Sequence, residues 1–104
     1  DGYVDFGEAY FSMVLHGEVK GWKKHLRMSM NLLVPVGEIC FHLESEDGSQ
    51  SERVVLGENN YQRLFVPPGI WMAFEGVGQS NNLLLNIASI EHDPTESMTR
   101  EFVR

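Results

Sequence analysis

Apolar and polar residues alternate along much of this chain with a period of two. The pattern is clearest over residues 38–44, where Ile39, Phe41 and Leu43 face one way and Glu38, Cys40, His42 and Glu44 the other. Residues 9–14, 19–26, 31–36, 52–56, 61–66 and 70–74 are further β-rich runs and predict strands. Residues 83–90 are nearly all apolar, which predicts a strand buried on both sides. Turn signals separate these runs: His16-Gly17-Glu18, Pro35-Val36-Gly37, Asp47-Gly48 and Gly57-Glu58-Asn59-Asn60. Asp93-Pro94-Thr95-Glu96 reads as a short helix with Asp93 as its cap and Pro94 in the first position.

The run Leu64-Phe65-Val66-Pro67-Pro68-Gly69-Ile70-Trp71-Met72-Ala73-Phe74 organises the rest. Two apolar strands meet at Pro-Pro-Gly. Proline cannot donate to a ladder and belongs at a strand end, and Gly69 gives the backbone freedom to turn. A pair of buried strands at a tight corner, with seven or eight short strands overall, predicts an all-β sandwich or barrel.

Length and charge narrow the function. The chain has 104 residues, which predicts a single domain over 1–104. It carries a net charge of −7, which argues against nucleic acid as a partner. Four of its eight Lys and Arg fall between Lys20 and Arg27, a local basic patch suited to a small anion. No apolar run approaches the roughly 20 residues of a bilayer span. Cys40 stands alone, so no internal disulfide and no cysteine zinc site is expected, and a reducing, cytoplasmic location follows. The chain starts at Asp1 close to its first strand, which suggests a piece lacking an N-terminal segment.

The chemistry-bearing stretch is Lys20-Gly21-Trp22-Lys23-Lys24-His25. Alternation puts Gly21, Lys23 and His25 on one face and Lys20, Trp22 and Lys24 on the other. Facing inward, Lys23 and His25 would bind an anionic or carbonyl-bearing ligand, and either would serve as a general base. The plainer reading is a solvated basic strand with Trp22 in the core. A metal site is not expected, because His16, His25, His42 and His92 are dispersed and show no His-x-His pair. Cys40 alternates with apolar residues and reads as inert packing.

Four motifs in order resemble the dTDP-4-dehydrorhamnose 3,5-epimerase family of the cupin superfamily: residues 17–22 (Gly-Glu-Val-Lys-Gly-Trp), 34–39 (Val-Pro-Val-Gly-Glu-Ile), 56–60 (Leu-Gly-Glu-Asn-Asn) and 66–74. The resemblance covers roughly residues 9–96. It implies a jelly-roll cupin barrel and a homodimer that needs no cofactor. It further implies a nucleotide-linked 4-keto-6-deoxysugar as ligand, in polysaccharide biosynthesis. In that family a base removes the proton next to the ketone and an acid returns it on the other face. The family's Arg-Gly-Leu-His motif falls on Lys20 to Lys23, its lysine on Met30 with Asn31 beside it, and its second histidine on Met72. Its tyrosine acid lies late in the chain, where no tyrosine follows Tyr61 here.

The resulting expectation is Lys23 and His25 as catalytic groups, with Lys20, Asn31, Arg63 and Met72 binding the substrate. With the usual histidine and tyrosine replaced, standard 3,5-epimerase activity should be weak. The alternative is a non-catalytic cupin that holds a small anionic or sugar ligand.

Overall fold

The computed structural model describes residues 5–103 and is nearly all β. The strands are β1 (Glu8–Leu15), β2 (Val19–His25), β3 (Met30–Val36), β4 (Glu38–Glu44), β5 (Ser51–Gly57), β6 (Leu64–Val66), β7 (Trp71–Gly76), β8 (Asn81–Ala88) and β9 (Ser97–Arg100). A single 3-10 turn, Pro94–Glu96, precedes β9, and Asp93 caps it by accepting from the Thr95 amide. The strands form two antiparallel sheets of order β1-β8-β3-β6 and β5-β4-β7-β2-β9.

The two sheets face each other over one core. Leu32, Val34, Ile39, Phe41, Leu56, Leu84 and Val14 fill it at one end of the barrel. Along β8 the inward positions are Asn82, Leu84, Asn86 and Ala88, and the outward ones are only half buried. The expected burial on both sides is therefore corrected: one face of β8 meets the core and the other forms the outer surface. Asn82 is fully buried at the closed end. Its amide donates to the Val14 and Gly78 carbonyls at 3.0 and 3.1 Å and its oxygen accepts from the Glu38 amide at 2.8 Å, which ties the two sheets together. A Cβ on Gly37, which also has φ +79°, would lie 2.2 Å from that oxygen, so only glycine fits there.

The Pro67-Pro68-Gly69 corner joins two barrel strands as expected, and because β6 and β7 lie in different sheets it carries the chain from one sheet to the other. Gly69 turns with φ +88° and its amide donates to the His25 carbonyl at 2.8 Å, fixing the end of β2. The strand expected over 61–66 is only Leu64–Val66, because Tyr61, Gln62 and Arg63 are exposed and bury no face. The last strand, β9, has no apolar alternation and gave no strand signal, yet it pairs with β2 as a sheet edge.

Candidate active site

Inward-facing residues change character along the strands. At the closed end they are aliphatic; towards the other end β1 turns Glu8, Tyr10 and Ser12 inward and β8 turns Asn86. Lys20, Gly21, Lys23 and His25 of β2, Met72 and Phe74 of β7, and Met28 and Met30 around the start of β3 meet them. Together they enclose a cavity of about 290 Å³. A wider, more open groove of about 700 Å³ runs beside it between the β4–β5 turn and β6, over Leu43, Phe65, Val66 and Ile70. The groove adds Glu44 and Glu52, whereas the smaller cavity brings together lysines, histidines, a tyrosine and carboxylates.

His25 stands at the end of β2 with its Nδ1 held by the Glu96 carboxylate. The Glu96 side chain is 2 % exposed, and its second oxygen accepts from the amides of Leu26, Arg27 and Met28 at 3.2, 3.1 and 3.2 Å. Burial pushes this carboxyl up, but the His25 contact and the Arg27 and Met28 amides outweigh it, and it ends below its ordinary value. A proton on Nδ1 facing a carboxylate leaves Nε2 as the basic atom for the cavity.

That lowered carboxyl makes a testable pH signature. Its contribution to stability is present above its ordinary value of 4.5 and is lost as the pH falls through the lower folded value. The melting temperature of the wild type is expected to fall more steeply than that of Glu96→Gln between about pH 5 and 3. Parallel curves would contradict the assignment.

Tyr10 reaches the cavity from the opposing sheet. Asn86 Nδ2 donates to its phenol oxygen at 3.0 Å and also lies 3.3 Å from Met30 Sδ. Burial and the neighbouring Glu8 carboxylate raise the Tyr10 pKa against the Asn86 hydrogen bond, so the phenol keeps its proton at neutral pH. It can therefore donate a proton, and the Asn86 amide hydrogen-bonds the oxygen that would be left charged.

The sequence expectations divide here. Lys20, Lys23, His25 and Met72 line the cavity. Lys20 joins Lys23 although alternation separates them, because the register of β2 against β7 shifts between these two residues. Asn31 does not line it: between buried Met30 and Leu32 its side chain takes the outer face of the β1-β8-β3-β6 sheet. Arg63 does not line it either, since it sits in the exposed segment before β6. Trp22 is not in the core but on the outer face, against Phe102 and Arg100. Lys24, expected to be solvated, is 7 % exposed, pairs with Glu46 at 3.0 Å and lies over Trp71. Tyr10, Asn86 and Glu96 carried no signal of their own; the cap Asp93-Pro94 was the only hint that the segment near Glu96 is ordered.

Both signs of charge line the cavity, Lys20 and Lys23 together with the carboxylates of Glu8, Asp93 and Glu96. Among the described residues Lys23 makes no ion pair, while Lys20 is held by Glu18 at 3.1 Å and Arg27 by Asp93 at 3.1 Å. No three His, Cys, Asp or Glu side chains among the described residues converge on a metal position.

Residues 8–103 match the FdtA family, described as WxcM-like, C-terminal. A probable low-salt glycan biosynthesis epimerase, Agl13 of Haloferax volcanii, is 28 % identical over 96 residues, covering 86 % of this chain and 62 % of the relative. The crystal structure of a dTDP sugar isomerase from Desulfovibrio desulfuricans superposes with a TM-score of 0.89 at 36 % identity, over 94 % of this chain and 66 % of that one. The sugar 3,4-ketoisomerase QdtA from Thermoanaerobacterium thermosaccharolyticum, solved in complex with TDP, shares the fold at 18 % identity and a TM-score of 0.80, over 92 % of this chain and 68 % of that one. The chain thus spans about two-thirds of these proteins' length. The resemblance read from its motifs holds at the level of cupin-fold sugar isomerases and epimerases. The chain belongs to the FdtA family, WxcM-like C-terminal domains related to isomerases and epimerases of nucleotide-linked sugars.

Proposed function

We propose that this barrel is the catalytic part of an isomerase that moves a proton at the carbon next to the ketone of a nucleotide-linked keto-deoxysugar, in glycan biosynthesis. The observation that carries the reading is the His25–Glu96 pair opening on a cavity that also holds Tyr10. His25 Nε2 takes the proton from the carbon beside the ketone, and the C–H electron pair becomes a C=C bond. The carbonyl oxygen takes the Tyr10 proton, giving an enediol, with Glu96 balancing the imidazolium and Asn86 the phenolate. The neighbouring hydroxyl then returns its proton to Tyr10, and His25 delivers its own to the adjacent carbon. Every atom is conserved and the ketone has moved by one position.

A cavity of about 290 Å³ lies at the small end of ligand sites, which run from about 300 Å³. It suits the sugar ring, with the nucleotide diphosphate outside against Lys20 and Lys23. Lys23→Ala is expected to weaken binding of dTDP about fivefold, the factor for about 1 kcal/mol from an exposed charge pair. Lys24→Ala, on the opposite face, is expected to leave binding unchanged; equal losses by calorimetry would contradict the assignment.

The reaction itself is tested with dTDP-4-keto-6-deoxyglucose in deuterium oxide. A product with its ketone moved by one position, or deuterium entering a carbon next to the ketone, supports catalysis. Tight binding with neither would instead make the chain a sugar-nucleotide binding cupin.

We also propose that the chain pairs with a second copy through the outer face of the β1-β8-β3-β6 sheet. Phe11, Met13 and Leu15 are half exposed or more on edge strand β1, and Leu83, Leu85 and Ile87 continue the same face. The face carries no charge, so two molecules of net charge −7 can meet there with least repulsion. Sedimentation is expected to give a dimer at micromolar concentration, and Phe11→Lys a monomer. A wild-type monomer would rule the pairing out.

A further inference from the structure

We infer that Arg100 is a positioning residue for the His25–Glu96 pair, acting from the outside of the barrel through β9. The inference rests on the reading of His25 as the base.

Glu96 sits immediately before β9, and His25 pairs in register with Ser97, the first residue of that strand. The register of β9 on β2 therefore helps to hold the carboxylate in place, beside the amides that donate to it. Yet β9 is four residues long, forms a sheet edge and exposes Met98, Thr99 and Arg100. A short edge strand with no buried side chain opens easily.

The clamp is on the outer face. The Arg100 guanidinium lies 4.9 Å from the Trp22 ring centre and 4.6 Å from that of Trp71, and its Nη2 donates to Glu44 Oε1 at 2.9 Å. One side chain thus joins β9 to β2, β7 and β4. Phe102, beyond the strand, stacks on Trp22 at 5.8 Å. On the other side of Glu96 the 3-10 turn is pinned by Arg27 to Asp93 at 3.1 Å. None of Arg100, Trp22 or Glu44 lines the cavity, so the clamp reaches the chemistry only through the position of Glu96. Guanidinium suits the task because it is planar, permanently charged and stacks on aromatic faces while its edge hydrogen-bonds.

The test follows the amides of Arg27 and Met28, which donate to Glu96, and the Nδ1 proton of His25. Arg100→Ala is expected to speed hydrogen exchange of those two amides at least about fivefold, the factor set by losing a cation–π contact, and to broaden or remove the His25 proton signal. The Phe41 amide in the core should exchange as in the wild type. Arg100→Lys should restore part of the protection, and Glu44→Gln should shift exchange in the same direction by less. In the enzyme, kcat should fall while KM for the sugar nucleotide holds. Wild-type exchange rates and an intact His25 signal in both Arg100→Ala and Glu44→Gln would overturn the inference. If those signals move but the wild type neither isomerises the sugar nucleotide nor exchanges its protons, the positioning stands and the catalytic reading fails.

Discussion

Replacing His25 by glutamine is expected to lower turnover of a nucleotide-linked keto sugar by a factor of about 100 to 10,000, the range for removing a positioned acid–base group. Glutamine can still donate towards Glu96 but offers no basic nitrogen to the cavity. Binding of dTDP should change less than about twofold, because the imidazole is assigned to the sugar and Lys20 and Lys23 to the phosphates. The comparison with Glu96→Gln is informative. Losing the carboxylate leaves the base in place but less well held and less able to carry positive charge, so its loss should be at least about 10- to 100-fold, the range for partners that orient metal-ligating histidines. Single-turnover rates and calorimetry on the same proteins give both numbers. A His25→Gln enzyme with full turnover would remove the central residue of the mechanism. Equal losses in binding and rate would make His25 a binding group only.

The largest expected effect on stability is at Phe41. This side chain is fully buried in the middle of β4, and its ring centre lies 5.8 Å from that of Phe74 across the β4–β7 pair. Phe41→Ala is expected to cost about 3–5 kcal/mol, from lost transfer free energy and the cavity left behind. For a domain of this size that lowers the melting temperature by roughly 15–35 °C. Phe41→Leu keeps much of the volume and should cost less than half as much. Urea unfolding of the three proteins checks this, and a loss below about 1 kcal/mol for Phe41→Ala would mean that the barrel closes around the gap, contrary to close packing.

These two predictions draw on different parts of the barrel for a physical reason. A sheet that closes on itself must fill its interior, but it need not fill it with hydrocarbon along its whole length. Here Val14, Leu84, Ile39 and Phe41 fill one end with apolar side chains, in one core cluster with Met28, Met30 and Met72. The far end is lined by Met28, Met30 and Met72 next to His25, Glu96, Tyr10 and Lys23. Methionine gives that end a soft apolar wall that can adapt to a ligand. The polar groups are tolerated because Glu96 has the Leu26, Arg27 and Met28 amides and the His25 imidazole as partners.

The strands, the turns and the inward face of β2 were legible in the sequence because they depend on near neighbours. Alternation of Ile39, Phe41 and Leu43 reports one buried face, and the same rule puts Lys23 and His25 together on β2 without any knowledge of what lies opposite. The order of four motifs was specific enough to indicate a cupin barrel. What alternation cannot report is which strand becomes the neighbour. His25 meets Glu96 across 71 positions and Tyr10 meets Asn86 across 76, and both pairs exist only because β9 runs beside β2 and β8 beside β1. Lys20 shares the cavity with Lys23 through a register shift that no local pattern marks, while Asn31 is turned out by the pleat of a strand whose neighbours Met30 and Leu32 take the core. The sequence by itself determined which faces are buried and where the chain turns, since both follow from short-range sterics and hydrophobicity. Only the tertiary structure decided which base meets which carboxylate, because hydrogen bonds between strands far apart in sequence are set by sheet order and register.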